Sequence, residues 1–345
     1  MNSIIVNNNQ LVDEAKGISR YFYSLEPYLA KNFTLEMLFS EPEKNAFRKK
    51  LREQMVSLRG RTNSILWSPS HSGPILGSNH VVTVHDLISL HPESGISRSY
   101  KFFFKNNVGL LLRKSKHVVC ISASVADMVQ VIFGTRSSKI SVIRNGYDFL
   151  NANSHENETI SSAHPFEYLL FVGTVSAHKN VMRLIESFKI FKAFYKTDIK
   201  LVIAGHLPDT KSLGDTSVDF HSLESWGVIF YNHPGDEFIH SLYKGCRGVI
   251  MPSLVEGFGL PITEALSYNK PVICSDIAVF QELFGPMIRS YFNPYNVESI
   301  VNSIKVLIET SSELTSGEMS VYSEKIKWTW EKAADEYAKL FSHLS

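Results

Sequence analysis

Short apolar runs alternate with stretches of helical periodicity along the whole chain. The runs that read as buried strands fall into two groups, separated by a polar stretch near the middle. They are Ile4–Val6, Ile65–Trp67, Val81–Val84, His117–Ile121 and Ile140–Ile143, then Tyr168–Val172, Lys200–Ala204, Val228–Tyr231, Gly248–Met251 and Pro271–Cys274. Strands that alternate with helices are typical of parallel sheets covered by helices on both faces. The pattern therefore predicts an α/β fold with two doubly wound domains, whose strand-end loops face a shared cleft.

The polar stretch, residues 151–165, shows no periodicity and predicts a linker. The predicted domains are then residues 1–150 and residues 166–325. Residues 326–345 predict a separate amphipathic helix that packs back across the domains. Its apolar face would be formed by residues at spacings of three to four positions, namely Trp330, Ala333 or Ala334, Tyr337 and Phe341.

Charge divides the chain in the same way as the strand pattern. The net charge of +1 combines 19 Lys/Arg and 11 Asp/Glu in residues 1–150 with 16 and 23 in the remainder. A basic first half suits a membrane surface or a phosphate-bearing acceptor, and a scatter of solvated lysines explains it equally well. Nucleic acid is disfavoured as a partner, because no recognition motif accompanies the basic charge.

The cysteines and the N-terminal residues indicate which cell compartment to expect. Cys120, Cys246 and Cys274 each lie in an apolar run and form no metal-binding spacing. We therefore expect buried core thiols, a reducing compartment and no structural metal. The first residues read as a strand rather than a signal peptide, and no apolar run approaches the ~20 residues that span a bilayer. The expectation is a cytoplasmic protein, either soluble or peripheral at the inner face of the membrane.

One segment, Ser99–Lys105, mixes aromatic side chains with cations at the start of a predicted helix. The simpler interpretation is a helix packed by its phenylalanines, with the lysines in solvent. The alternative is an interfacial patch that touches lipid.

The stretch Met251–Glu264 carries the strongest chemical signal. It leads from a buried strand into a helix that is predicted to begin at Pro261, a position that suits proline. Gly257 and Gly259 would let backbone N–H groups approach a ligand, and the start of the helix favours an anion. Glu256 and Glu264 flank this anion site, and a carboxylate can accept two hydrogen bonds from a diol. Phosphate and sugar together indicate a nucleotide sugar.

Two further features lie in the first half. His85 and Asp86 follow a buried strand at its carboxyl end, where ligands sit in open α/β sheets, although Asp86 could simply cap the next turn. Gly17 comes just before a helix and could allow a tight turn near a phosphate. An ordinary loop is the alternative explanation for Gly17.

In this order, the motifs resemble those of the GT-B glycosyltransferases, most of all family 4, the retaining enzymes with a Glu-x7-Glu motif. The resemblance covers nearly the whole chain and rests on five segments as well as the terminal helix. They are Gly17-Ile-Ser-Arg20, Val84-His-Asp86, Ile143-Arg-Asn-Gly146, Phe171-Val-Gly-Thr-Val-Ser-Ala-His-Lys-Asn180 and Glu256-Gly-Phe-Gly-Leu-Pro-Ile-Thr-Glu264. It implies two Rossmann-like domains, the first for the acceptor and the second for the nucleotide sugar.

The resemblance also implies a role for individual residues. Lys179 would bind the donor diphosphate, Glu264 the ribose hydroxyls, and Glu256 the transferred sugar or the charge near its anomeric carbon. His85 would touch the donor sugar, so that Glu256, His85 and Lys179 form the catalytic set. The remaining donor-binding residues would be Gly17, Arg144, Gly173, Ser253, Gly257, Phe258, Gly259 and Leu260. Relatives often carry Arg where this chain has His178, and Arg183 or Arg144 could compensate.

No metal or other cofactor is expected, because Lys179 and the helix start could stabilise the leaving diphosphate and the sequence contains no Asp-x-Asp. No second carboxylate stands out as a nucleophile for double displacement, so the resemblance favours a front-face, substrate-assisted mechanism. The form of the Lys179 motif resembles that of bacterial mannosyltransferases of surface-polysaccharide assembly. It implies GDP-mannose as donor and a polyprenyl-diphosphate-linked saccharide of O-antigen or capsule as acceptor. The alternatives are a UDP- or dTDP-sugar donor, an epimerase, a soluble-glucan polymerase, or a two-lobed binding protein without transferase activity.

Overall fold

The computed structural model describes residues 3–11, 17–39, 48, 51–54, 64–75, 79–147, 164–207, 220–325 and 328–345. The chain forms two compact units. The first comprises Met1–Leu90, Ser97–Asp148 and Ile326–Ser345, and the second comprises His91–Ile96 and Phe149–Lys325. Most of the predicted linker, residues 151–163, lies outside the described residues.

Each unit contains one six-stranded parallel sheet. In the first unit the order is β2-β1-β3-β4-β5-β6, and in the second it is β12-β11-β10-β7-β8-β9. The strands are β1 Ser3–Val6, β2 Thr34–Met37, β3 Ile65–Ser68, β4 His80–Val84, β5 His117–Cys120, β6 Ile140–Val142, β7 Tyr168–Val172, β8 Lys200–Gly205, β9 Val228–Asn232, β10 Gly248–Met251, β11 Val272–Ser275 and β12 Ser290–Phe292. The prediction of two doubly wound parallel sheets is confirmed.

Helices connect the strands and cover both sheets. They are α1 Gly17–Leu29, α2 Arg98–Lys114, α3 Ala123–Phe133, α4 Val181–Tyr195, α5 Phe220–Leu223, α6 Asp236–Gly245, α7 Leu260–Ser267, α8 Ala278–Leu283, α9 Val297–Glu309, α10 Ser316–Lys325 and α11 Trp330–Leu344. None of these helices is long and apolar enough to cross a membrane.

The central strands consist of nearly continuous apolar residues, because helices bury both of their faces. β7 and β10, for example, are buried at every position. The polar exceptions in β4 have partners, since Trp67 Nε1 donates to Thr83 Oγ1 at 3.1 Å and His80 Nε2 lies 2.8 Å from Ser68 Oγ. Cys120, Cys246 and Cys274 are buried free thiols, as their apolar surroundings predict.

The terminal helix α11 follows the second unit in sequence but belongs to the first, where it packs on α1. The predicted apolar face is buried in full, from Trp330 to Phe341. Tyr337 fixes the contact, because its hydroxyl bonds to Tyr21 and lies 2.9 Å from Thr83 Oγ1. The amphipathic pattern thus predicted the buried face of the helix correctly.

The strand order of each sheet sets where a ligand would bind. In the first unit the chain runs from β1 to β2 on one side and returns to β3 on the other, so the connections diverge between β1 and β3. In the second unit they diverge between β7 and β10. In open α/β sheets, the crevice at the carboxyl ends of the strands at such a switch point is the usual ligand site.

Candidate functional site

Two loops meet at the switch point of the second sheet, residues 173–180 after β7 and residues 252–259 after β10. Leu254 donates its backbone N–H to the carbonyl of His178 at 2.8 Å. Asn180 Nδ2 donates to the carbonyl of Pro252 at 3.0 Å. Asn180 also starts α4 from a left-handed conformation, with φ of 59°. The two loops are therefore one hydrogen-bonded assembly, and it contains the two motifs predicted for the second domain, one around Lys179 and one around Glu256.

Lys179 and Glu256 form an ion pair across this assembly, with Nζ 2.5 Å from Oε1. Both side chains are largely removed from solvent, at 16% and 8% exposure. Ser253 is buried and donates its hydroxyl to the same carboxylate oxygen at 2.8 Å. Glu256 thus has two donors and a fixed orientation. An ammonium group has three donors, so Lys179 can hold Glu256 and still contact a phosphate.

Gly259 connects the loop to α7 in a conformation that favours glycine. Its φ is +107°, and a Cβ atom would lie 2.8 Å from the ring of Phe280. The fold itself therefore requires this glycine, in addition to the close ligand approach that the sequence predicts. The helix begins at Leu260, one residue before the predicted start, and Pro261 lies in its first turn.

The first turn of α7 has the features of an anion site. No side chain among the described residues caps this helix. The N–H groups at a helix start and the positive end of its dipole favour phosphate. An anion bound at this helix start would lie next to Gly257 and Phe258, which are buried, and close to the loop that carries Glu256.

Glu264 lies one turn into α7, and its orientation is set by a residue that sequence reasoning missed. Tyr243, a buried residue of α6, donates its hydroxyl to Glu264 Oε2 at 2.8 Å. The Tyr243 ring in turn stacks on Tyr268, with 5.6 Å between centroids. Tyr243 lies in a helical segment with no motif of its own, so nothing in the sequence connects it with Glu264.

Gly173 stands at the end of β7, where the backbone of β8 comes close. A Cβ atom on Gly205 would lie 2.0 Å from the carbonyl oxygen of Gly173. Gly205 therefore needs to be glycine for packing between the two strand ends, whereas Gly173 has a φ of +149°, a backbone conformation that favours glycine. After β8, the exposed His206 pairs with the exposed His233 that follows β9, with Nδ1 and Nε2 2.5 Å apart. No sequence motif indicates this pair.

Relatives often carry an arginine at the position of His178. His178 and the two arginines that could compensate for it, Arg183 and Arg144, lie in different places. His178 Nδ1 is 3.2 Å from the Ser176 hydroxyl. Arg183 donates to Asn180 Oδ1 at 2.6 Å and to the carbonyl of Pro294 at 3.1 Å, so its guanidinium supports the loop. Arg144 belongs to the first unit, where its carbonyl accepts from Trp328 Nε1. Compensation by Arg183 or Arg144 stays a prediction.

The switch point of the first sheet holds buried polar side chains that sequence reasoning also missed. Asn7 follows β1, and its Nδ2 donates to Ser68 Oγ at 3.0 Å at the end of β3. Glu53, which is fully buried, accepts longer bonds from Asn7 and Asn9, each at 3.4 Å. The run of three asparagines directly after the first strand could have indicated this polar cluster. Glu53 could not be found, because it lies more than 40 residues away in a basic segment.

His85 lies at the end of β4, beside this polar cluster. Its Nε2 is 2.8 Å from the carbonyl oxygen of Pro69, and its ring meets the edge of Tyr21 at 4.6 Å. A carbonyl only accepts, so Nε2 carries the proton and Nδ1 of the neutral ring is an acceptor. Asp86 accepts the N–H of Ile88 at 3.0 Å and so caps the next turn. This is the simpler of the two roles that the sequence suggests for Asp86.

Gly17 is the first residue of α1 and is exposed. A Cβ atom there would have no heavy atom of the described residues within 4 Å. Packing therefore does not explain this glycine, and its predicted role near a phosphate stays a prediction. In the part of the chain that the structure describes, no group of three His, Cys, Asp or Glu side chains is arranged to hold a metal ion.

The neutral state of His85 leads to a testable pH dependence. Burial lowers the pKa of His85 to about 4, and this effect outweighs the hydrogen bond to the Pro69 carbonyl and the nearby Asp86, which both raise it. We expect histidine-selective NMR to show no titration of this ring between pH 5 and 8, with His85→Gln used for assignment. Because the folded-state pKa lies below the ordinary value, the stability that this group contributes is complete above about pH 6.5 and declines towards pH 4. A titration midpoint near 6.5 would show that His85 is not buried in this way.

Comparison with known proteins relates this geometry to a family. Residues 61–149 match the family model described as Glycosyltransferase Family 4, and residues 155–321 match the one described as Glycosyl transferases group 1. The fold is similar to that of sucrose-phosphate synthase from Thermosynechococcus elongatus, with a TM-score of 0.74 at 14% identity, over 100% of this chain and 99% of that one.

Two curated relatives are O-antigen enzymes by name. The chain is 30% identical over 257 residues to the O-antigen chain mannosyltransferase RfbU of Salmonella typhimurium, which covers 72% of this chain and 66% of that protein. It is 25% identical over 177 residues to the O-antigen chain mannosyltransferase B of Escherichia coli, which covers 51% and 46%. The chain thus spans less than two thirds of the length of either relative.

Proposed function

Because the chain belongs to the GT-B glycosyltransferases of family 4, we propose that it transfers a hexose from a nucleotide sugar to a saccharide acceptor with retention of configuration. The observation that carries this proposal is the arrangement at the switch point of the second sheet. There two hydrogen-bonded loops hold the largely buried Lys179–Glu256 pair and lead into the start of α7, where Tyr243 orients Glu264.

Each of these residues would contact a different part of the donor. The ammonium of Lys179 and the N–H groups at the start of α7 neutralise the diphosphate, whose charge grows as it leaves. Glu264, oriented by Tyr243, accepts the ribose hydroxyls. Ser253 and Lys179 fix Glu256, which then stabilises positive charge on the sugar. The contact of His85 with the donor sugar stays a prediction, since His85 belongs to the first unit.

A front-face reaction suits these contacts. The bond from the anomeric carbon to the diphosphate oxygen breaks, and the acceptor hydroxyl oxygen bonds to the same face of that carbon. The acceptor proton goes to the leaving diphosphate, so no protein base is required. Glu256 is a poor nucleophile for double displacement, because an ammonium at 2.5 Å and a hydroxyl at 2.8 Å stabilise its negative charge.

For the donor we propose GDP-mannose, and for the acceptor a lipid-linked saccharide of O-antigen or capsule. Two observations support this choice. The curated relatives RfbU and mannosyltransferase B are both named O-antigen chain mannosyltransferases. In addition, the first 150 residues are basic, which suits an acceptor that carries a diphosphate.

A thermal-shift and transfer panel of GDP-, UDP- and dTDP-sugars tests this proposal. We expect GDP and GDP-mannose to raise the Tm most, since a ligand at 100 times its Kd adds about 2.7 kcal/mol to the unfolding free energy. GDP release should then depend on an added mannose-containing acceptor. If only a UDP- or dTDP-sugar stabilised the protein, the proposed donor would be wrong, and the proposed transferase activity would stand. Binding without turnover would favour a sugar-nucleotide-binding protein, and no binding of any donor would contradict the proposal.

A further inference from the structure

The helix α2 presents aromatic side chains to solvent. Phe102 is 73% exposed, Phe103 is 56% exposed and Tyr100 is 49% exposed. The simpler interpretation of the sequence, in which the phenylalanines pack the helix, is right for Phe104 and wrong for Phe102 and Phe103. Phe104 lies in the core of the first unit, where Val108 and Leu112 also pack.

Cations surround these exposed rings, and the helix carries no acidic residue. Its basic residues are Arg98, Lys101, Lys105, Arg113 and Lys114. At about 100° per residue, Phe102 lies within about 60° of Arg98, Lys105 and Arg113 around the helix axis, and Phe103 lies about 20° from Lys114. Phe102 and Phe103 therefore project from a basic surface, away from the buried stripe.

We propose that this surface of α2, defined by Phe102, Phe103, Arg98 and Lys105, docks the protein on an anionic lipid bilayer. A helix lies in a membrane interface when aromatic rings enter the headgroup region and adjacent cations meet anionic lipid. The uniform positive charge of α2 is complementary to such a surface. The net charge of the first 150 residues has the same sign, with 19 basic against 11 acidic side chains.

The chemistry of the patch favours lipid over the other partners that an exposed aromatic face could bind. Adjacent exposed phenylalanines at the outermost position of a helix need an apolar medium, and contact with dispersed anions would leave them in water. The cations extend along the helix from Arg98 to Lys114, which suits an extended anionic plane. Docking would bring the protein to an acceptor held in the bilayer, but it requires no transfer reaction and goes beyond the proposed function.

Vesicle flotation with the full chain tests the docking surface. The vesicles contain phosphatidylglycerol and phosphatidylethanolamine or, for comparison, phosphatidylcholine alone. We expect binding to the anionic vesicles that falls at 0.5 M salt (on the order of a 5 Å screening length). The double variant Phe102→Ser/Phe103→Ser should bind at least about tenfold more weakly, because each lost ring removes buried apolar area. Arg98→Glu/Lys105→Glu should lose a similar factor on the anionic vesicles.

The matched control is Phe194→Ser on α4 of the second unit, since Phe194 is 78% exposed in a helix that also carries lysines. It should bind vesicles as the unchanged protein does. Circular dichroism and the thermal shift with GDP are recorded on the same preparations. If vesicle binding fails while GDP still stabilises the protein, only the docking surface is wrong. If vesicle binding holds while no sugar nucleotide binds, only the proposed function is wrong.

Three kinds of result would overturn the docking surface. The first kind is a failure of the binding test itself. Either the protein does not bind anionic vesicles, or Phe102→Ser/Phe103→Ser binds them as well as the unchanged protein does. The second is equal binding to phosphatidylcholine, which would remove the role of charge. The third is a change of oligomeric state in the phenylalanine variant without a change in vesicle binding, which would assign the surface to protein contacts instead.

Discussion

Replacement of Glu256 by Gln is expected to lower kcat for sugar transfer by roughly 10²–10³-fold, with a much smaller change in donor affinity. Mutations that remove one preorganised electrostatic contact to a transition state have effects of about this size. The amide keeps the size of the side chain and loses its negative charge, which is the property that the positive sugar requires. Initial rates of nucleotide release, measured across donor concentrations, separate kcat from KM.

Variants of Lys179 separate catalysis from folding at the same pair. Lys179→Met would leave the Glu256 carboxylate, only 8% exposed, without its cation. Breaking a buried ion pair in this way typically costs about 3–5 kcal/mol of unfolding free energy. The double variant Lys179→Met/Glu256→Gln carries no unpaired buried charge, so it should recover most of the stability in urea and remain inactive.

The surface residue Glu331 provides the control, because its ion pair with Lys31 is exposed on both sides. Glu331→Gln should change neither activity nor stability beyond about 0.5 kcal/mol. If Glu256→Gln transferred sugar at the unchanged rate, Glu256 would have no electrostatic role. If the double variant were as unstable as Lys179→Met alone, the instability would come from lost packing.

The second large effect is expected at Glu264. We predict that Glu264→Ala weakens GDP binding by roughly 10–100-fold, the equivalent of one strong charge-assisted contact to the ribose hydroxyls. Tyr243→Phe removes the hydroxyl that donates to Glu264 Oε2 at 2.8 Å, and it should weaken binding by only a few-fold. Isothermal titration with GDP measures both variants.

A ligand change makes this test specific to the ribose. The unchanged protein should prefer GDP to 2′-deoxy-GDP, and the preference should disappear in Glu264→Ala, because the variant lacks the carboxylate that the 2′-hydroxyl would contact. A preference that survives in Glu264→Ala would assign the ribose to another residue. Equal GDP affinity in the variant and the unchanged protein would remove Glu264 from the donor site.

Much of the fold could be predicted from the sequence, because strands buried on both faces are continuous apolar runs. β2 at Thr34–Met37 was missed, since this edge strand is exposed or half-buried at every position and lacks such a run. β12 at Ser290–Phe292 was missed because three residues show no pattern. Edge strands bury less surface, and their sequences therefore carry a weaker signal.

A similar rule applies to the candidate site. Lys179, Glu256 and Glu264 could be proposed from the sequence because they lie in local motifs that contain glycines. Their partners could not, because Tyr243 approaches from a different helix. The sequence also could not show which of the three consecutive phenylalanines of α2 are exposed. The way the helix packs on the rest of the first unit decides which of them faces the core.

A crystal structure with GDP-mannose bound would show directly whether the donor lies at these loops. We expect diphosphate oxygens within about 3.2 Å of Lys179 Nζ and of backbone N–H groups in residues 257–260. We also expect the ribose hydroxyls on Glu264 and the mannose beside Glu256. A nucleotide bound elsewhere, with nothing at the loops between β7 and β10, would contradict the proposed donor site.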